Sequence, residues 1–329
     1  TPEIKRIVFR SIPEQATRLA ALKAGEVDVA YLLDGQLAQS VKADPNLKLA
    51  FSGGVGNTYV DFLDMWDPKS PWADQRVRLA ASLAIDRKAI SDAETLGASP
   101  PNGNVVPPGY EYALKIEADP YDPARAKKLL AEAGYPNGFD GGDVYPWPPY
   151  FSTGEAVSNY LGAIGIRTRV RTMERAALYA ALGSKKLKGL CVCVNAVQGN
   201  AASRLSETVP ADGAFTYGSF PDVEELYKAQ ANETDVAKRT EMLHRVQKTL
   251  ADRRRFAPIY DYVWASGIGP DGLALTADGG LVVAHVGMGA IWVFSNRGEP
   301  LYRVNSCGSE LVTNIAFGGA DMKSLYITD

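Results

Sequence analysis

The sequence predicts an α/β fold over residues 1–266, followed by a short all-β segment over residues 267–329. Three observations lead there. Strand-like runs alternate with stretches of helical apolar spacing through the first part. Several of those stretches open on Asp or Pro and stop on Gly, the punctuation of helix ends. After Gly267 glycine becomes frequent, the helical period vanishes, and short apolar runs separated by turns take over.

Residues 5–12 alternate polar and apolar as a strand does. Pro13 then opens a helical stretch through Leu19, Ala20 and Leu22 that Gly25 can cap. A strand follows over 27–33, Asp34 is placed to N-cap a second helix, and 47–51 is a third extended run. Asp74 can cap a longer helix over 75–92. Its Val77, Ala80, Ala81, Ala84 and Ile85 recur at helical spacing, and its polar side carries Arg76, Arg87 and Lys88. Residues 97–110 are too rich in Pro and Gly for regular structure. The clearest local signal lies over 122–136: Asp122 caps, Pro123 takes the first turn, Gly134 stops the helix and Pro136 forbids its resumption. Further α/β units follow as a helix over 151–164 with Gly165 as its stop, a strand over 166–173, a helix over 176–182 and a strand over 187–194. Helices over 222–230 and 235–254 and an extended run over 256–263 complete this part. Beyond a boundary within about five residues of Gly267, the runs 281–285, 290–294 and 325–328 read as strands.

At 329 residues and 46% hydrophobic content, the chain can bury a substantial core. A net charge of -3 and a pI near 5.6 give no electrostatic reason to expect a polyanion, so nucleic acid is not an expected partner. No apolar run approaches the roughly 18 residues a bilayer crossing needs, so no membrane span is expected. Three cysteines, an odd count, do not make a disulfide framework. Cys191 and Cys193 lie two apart in the apolar run 190–194, where a strand points both at one face. Small core hydrophobes is the favoured reading. A metal site would want more ligands, and the chain has only two histidines, His244 and His285. Nucleophilic machinery is not evident: no G-x-S-x-G elbow occurs, and His244 sits within a charged helical stretch over 240–248.

Three strings carry a family resemblance. Residues 77–87 (VRLAASLAIDR), 122–136 (DPARAKKLLAEAGYP) and 20–30 (AALKAGEVDVA) resemble, in order and spacing, segments of the family 5 solute-binding proteins of ABC importers, the peptide and nickel type. The resemblance covers 1–266. It implies α/β lobes of the type II periplasmic-binding-protein kind, present in part: the later half of lobe one over about 1–60, a distal lobe over 61–255, and a return to lobe one over 256–266. It further implies a substrate-binding component of an ABC importer for peptides or other small solutes. Its partners would be the solute and the importer's membrane subunits, its location periplasmic or extracellular, its cofactor none, and its binding weakened by the missing part. Candidate ligand contacts are Asn57 and Tyr59, at the crossing between lobes, and Gln198 and Asn200, in the loop after the 187–194 strand. The alternative is that all four are ordinary loop polars. In peptide-binding members that loop carries an acid that meets the peptide's amino terminus. Here 195–200 reads NAVQGN with no acid, which argues against oligopeptide specificity. Tyr145, Trp147 and Tyr150 either stack on a ligand or pack a proline-rich loop.

The last part resembles a different family. Residues 270–284 (PDGLALTADGGLVVA), 291–294 (IWVF) and 313–319 (TNIAFGG) are similar, in order, to strands of the SMP-30/gluconolactonase/LRE family. That implies a short propeller-like fragment, in which Asp271 matches the Asp that ligates a central divalent cation, Ca or Zn. The remaining ligands belong to blades not present here, and one carboxylate does not hold such a cation. The other reading of Asp271 is an exposed turn aspartate, and His285 reads as a surface residue. Metal-dependent lactonase activity from this segment, or a product with no retained activity, is the alternative to solute binding. The string 267–272 (GIGPDG) fits both families and reads as the junction of a chimera.

Overall fold

A computed structural model of the chain describes residues 8–195 and 199–268 and the strands at 281–285, 290–294, 300–305, 314–318 and 324–328. In chain order the elements begin with α1 (Gln15–Lys23), β1 (Val29–Leu33), α2 (Gly35–Lys42), β2 (Lys48–Phe62), α3 (Gln75–Ala84), α4 (Arg87–Thr95) and α5 (Pro123–Glu132). Next come β3 (Phe139–Pro146), α6 (Phe151–Ala163), β4 (Ile166–Val170), α7 (Arg175–Gly183), β5 (Leu190–Asn195), α8 (Ala201–Leu205), α9 (Pro221–Gln230) and α10 (Val236–Asp252). The series ends with β6 (Phe256–Ile268), β7 (Leu281–His285), β8 (Ala290–Phe294), β9 (Pro300–Asn305), β10 (Asn314–Gly318) and β11 (Ser324–Thr328). The chain divides into two units, a smaller one of 1–53, 92–98 and 263–329 and a larger one of 54–91 and 99–262.

In the smaller unit, Glu14 and not Pro13 starts α1, because its carboxylate accepts the free amides of Ala16 and Thr17 at 2.9 and 2.5 Å. The described residues 8–12 form no strand, in contrast to the alternation of 5–12, since alternation needs a paired neighbour to become a ladder. β1 pairs antiparallel with the end of β6, Val29 opposite Ile268 and Leu33 opposite Ala265, with a register shift between Ala30 and Leu33. Beside the shift, Arg18 donates from Nε to Tyr31 O at 3.0 Å and from Nη2 to Leu32 O at 2.8 Å. Leu19, Leu22, Ala30, Leu33 and Val41 make the local core. Gly267 sits so tightly against it that a Cβ would lie 2.7 Å from Leu22 Cδ2. β6 therefore continues past the 256–263 run and ends at Ile268. The described strands beyond it form an antiparallel three-stranded sheet, β7-β8-β9, and a separate hairpin, β10-β11.

In the larger unit the sheet order is β6-β2-β5-β3-β4. β2 and β5 are antiparallel, whereas β3 pairs parallel with both β5 and β4. Helix α5 has the ends its residues dictate: Asp122 Oδ1 accepts from Arg125 N at 2.9 Å, Pro123 opens the first turn, and Gly134 turns out at φ +95°. β3, which helical and strand periodicity do not reveal, depends on glycine. At Gly138 (φ +72°) a Cβ would lie 1.8 Å from Gly165 O, so the β3 and β4 entries meet only without side chains.

The helix expected over 75–92 is two helices. α3 ends at Ala84 because Ile85 is extended (φ −87°, ψ 114°), and α4 starts at Arg87. Arg87, placed by periodicity on the polar side, is instead 4% exposed. The bend carries it inward, where it satisfies the carbonyls that the interruption frees. Arg78 is likewise 4% exposed. Its Nε and Nη2 donate to Arg254 O and Arg253 O, both at 2.8 Å, at the negative end of the α10 dipole, while Nη1 meets Trp72 O at 2.7 Å. No helix among the described residues is long and apolar enough to cross a membrane.

Candidate functional site

In the larger unit, the β2–β5 pair sets several polar side chains on one of its faces. Their register sets Asn57 opposite Asn195, Tyr59 opposite Cys193 and Asp61 opposite Cys191. Side chains two apart on a strand share a face, so all six stand on the same side. Thr58, Val60 and Phe62, with Leu190, Val192 and Val194, take the other.

Cys191 and Cys193 are 0% and 5% exposed, as small core hydrophobes should be. They are also joined in a disulfide across two residues, which their odd total had not suggested. Cys307 lies outside the described residues.

Asn57 and Tyr59 are enclosed, 0% and 5% exposed. Asn57 Nδ2 donates to Asn104 O at 3.0 Å, and its Oδ1 has no hydrogen-bond partner among the described residues. Its anchor is itself fixed: Asn104 Nδ2 donates to Gln247 Oε1 at 2.8 Å and to Leu114 O at 2.7 Å, and Gln247 Nε2 donates to Tyr112 O at 2.8 Å. A glutamine of α10 thereby orders the Pro- and Gly-rich loop read in the sequence at 97–110 and its continuation. Burial raises the Tyr59 phenol above its ordinary range, opposed by the neighbouring Arg204 charge.

Asn200 does not stand free in a loop. Its Oδ1 accepts from Ser203 N at 2.8 Å and caps α8, a helix the sequence reading missed because it spans only Ala201–Leu205. α8 carries Arg204, 1% exposed, whose Nε donates to Val105 O at 3.0 Å and whose guanidinium carbon lies 5.2 Å from the Tyr59 ring centroid. Phe256 meets the other side of the cluster edge-on, 5.3 Å from Tyr59. Arg255 follows, paired with Asp61 and held 4.2 Å from the Phe256 centroid and 5.6 Å from that of Trp66. Arg204 and Arg255 were invisible as site residues in the sequence. The one available signal was an arginine in a short, small-residue segment.

Gln198 and Asp271 lie outside the described residues. Among the described residues no group of three or more His, Cys, Asp or Glu side chains could hold a metal ion. Of the aromatic trio, Trp147 packs against Tyr179 at 4.7 Å and Tyr150 against Tyr262 at 4.8 Å, so these two rings are committed to packing within the unit.

Asp261 on β6 is 6% exposed and accepts from Asn102 Nδ2 at 2.5 Å. Burial pushes its carboxyl up from 3.8 to about 6, the Asn102 bond opposing. A raised folded value favours the protonated form, so its stabilising contribution is complete below pH 3.8 and is lost as pH rises through about 6. The full shift corresponds to about 3 kcal/mol; residual solvent screening reduces the expected change to about 1–2 kcal/mol. Asp261→Asn, followed by urea midpoints from pH 4 to 8, is expected to flatten that part of the profile and to stabilise the chain at pH 8. An unchanged slope rules this origin out.

A family model of bacterial extracellular solute-binding proteins, family 5, matches residues 1–191, and a model of the SMP-30/Gluconolactonase/LRE-like region matches residues 221–329. A glutathione-binding protein of Salmonella typhi is 33% identical over 193 residues, which are 56% of this chain and 36% of that protein. Heme-binding protein A of Haemophilus influenzae is 38% identical over 138 residues, 42% of this chain and 25% of the relative. The chain thus spans about a third of the length of the glutathione-binding relatives. Among solved structures, a periplasmic binding protein from Helicobacter pylori in complex with a peptide aligns with TM-score 0.70 at 20% identity, over 81% of this chain and 53% of that one. A dipeptide-binding protein from Pseudoalteromonas in complex with Met-Leu aligns with TM-score 0.70 at 18% identity, over 83% and 54%. The mixed α/β fold is that of these binding proteins.

Proposed function

The chain belongs to the bacterial extracellular solute-binding proteins, family 5, and from that premise we propose that it is the substrate-binding component of an ABC importer for a small solute of peptide-like size. The observation that carries this reading is double coverage: the family match takes in 58% of the chain (191 of 329 residues), and the fold likeness extends over 81–83% of it. In such a role the protein works outside the cytoplasmic membrane and hands its solute to membrane subunits. Asn57, Tyr59, Gln198 and Asn200 remain the proposed contacts, with Asn200 acting through α8 and not by direct donation.

Glutathione, Met-Leu and heme, the ligands named for the relatives and neighbours, are the first probes. Calorimetry is expected to give saturable heat with one of them. The same ligand at about 100 times its Kd should stabilise the chain by about 2.7 kcal/mol in urea. A cooperatively folded chain that gives no heat with any of the three counts against the proposal.

A second reading is favoured by the match over 221–329. In it, the C-terminal segment is a propeller fragment with Asp271 as a divalent-cation ligand, and it hydrolyses lactones. Its weakness is that 221–268 of that match are the helices α9 and α10 and the strand β6. Lactone hydrolysis that needs added Ca or Zn and disappears in Asp271→Ala is the result this reading requires.

A further inference from the structure

We propose that the Cys191–Cys193 disulfide is a redox switch of the β2–β5 face, opened by a dithiol and closed again by a small disulfide. Its test needs no solute, so the inference stands or falls apart from the solute-binding reading.

The bond shortens β5. It joins residues two apart whose Cα atoms lie 5.3 Å from each other. A regular strand rises about 3.3 Å per residue and sets such a pair about 6.6 Å apart. The closed bond holds the strand about 1 Å short at Val192.

The ladders around β5 decide where that length is felt. Toward β3 the parallel pairing takes in Leu190, Cys191 and Val192 and ends there. Toward β2 the antiparallel pairing continues past the bond, to Val194 opposite Thr58 and Asn195 opposite Asn57. Only this last stretch lacks the second clamp, so a change at Val192 is carried to the Asn57 end. At the bond itself, Cys193 stands opposite Tyr59 and Cys191 opposite Asp61.

Stability does not account for the bond. A disulfide stabilises a fold chiefly by restricting the unfolded chain, and the effect grows with the loop it closes. A sequence separation of two closes almost no loop.

The chemistry is thiol–disulfide exchange. Cys193 is 5% exposed and Cys191 0%, which directs an attacking thiolate to the Cys193 sulfur. A mixed disulfide forms there as the Cys191–Cys193 bond breaks, and Cys191 leaves as a thiolate that takes up a proton. The second thiol of the reagent then attacks the reagent's own bonded sulfur and releases Cys193. Two electrons and two protons pass from the dithiol to the cysteines, and the reagent ends as a disulfide. The reverse exchange closes the bond.

The test adds dithiothreitol to the native chain without denaturant. Alkylation in denaturant reads the redox state: the chain has three cysteines, so the number modified should rise from one to three. Amide exchange is compared in the oxidised chain, the reduced chain and Cys191→Ala/Cys193→Ala. Reduction is expected to outpace global unfolding. Peptides covering 190–195 and 57–62 should exchange at least about tenfold faster in both open forms, with α10 unchanged. The urea midpoint of the reduced chain should stay close to that of the oxidised one. Reduction that waits for global unfolding, an acceleration missing from either open form, or a midpoint that falls steeply on reduction makes the bond part of the framework. Each of these overturns the proposal.

Discussion

Asp61→Ala is expected to lower the unfolding free energy by about 3–5 kcal/mol, because it leaves the Arg255 guanidinium buried without its counter-charge. Both side chains of the pair are almost wholly enclosed, at 1% for Arg255 and 4% for Asp61. Arg255 Nη2 reaches Asp61 Oδ2 at 3.4 Å, and Nη1 bonds Oδ1. The pair joins the residue before β6 to the end of β2, and its removal strips a charge-assisted bond from two neighbouring strands of the sheet. Phe256 and Trp66 remain beside the guanidinium, but a ring face recovers only a small part of an ion pair. The double variant Asp61→Leu/Arg255→Met should cost far less than the sum of its single changes, since well-packed apolar groups can replace a buried pair at little cost. Urea midpoints of the four chains measure this directly; a loss below about 1 kcal/mol for Asp61→Ala would falsify the view that the pair is dry.

Arg87→Ala is the second large effect, with an expected loss of about 3–5 kcal/mol. Its Nε donates to Pro258 O at 2.8 Å, Nη1 to Ser82 O at 2.9 Å and Asp119 O at 3.1 Å, and Nη2 to Ser82 Oγ at 2.7 Å. These tie the α3–α4 bend to β6 and to the segment before α5. Alanine removes them together and leaves buried carbonyls unsatisfied in a new cavity. Burial already lowers the Arg87 pKa to about 10, which still leaves it charged at neutral pH. Lysine cannot reproduce the fork, so Arg87→Lys should recover less than half of the loss. Arg76, whose side chain is 50% exposed beside Asp74, is the internal control, and its alanine variant should move the urea midpoint far less than Arg87→Ala does. If Arg87→Ala is as mild as Arg76→Ala, its hydrogen bonds are not holding the bend.

These two arginines show where reading the chain succeeds and where it stops. The Asp122 cap, the Pro123 start and the Gly134 stop of α5 were legible because each acts within one or two turns of its own backbone. The same holds for Asp34 before α2, and for Gly165 at φ +96° after α6. The sequence offered Asn57, Tyr59, Gln198 and Asn200 as candidate contacts, of which all but Gln198 lie on described residues. It did not indicate that Asn200 caps a five-residue helix, that Cys191 and Cys193 bond to each other, or that Arg204 lies against Tyr59.

By itself, then, the sequence determined the α/β class, the helix ends and the family, all properties of short windows with their own local chemistry. Tertiary structure alone decided the break at Ile85, the strand β3, and which charges are buried. The partner of Arg87 at Pro258 is 171 residues away, and that of Arg255 at Asp61 is 194. No window of the chain contains both ends of such a contact. A charged side chain reads as surface until the fold brings it the oxygens that make its burial tolerable.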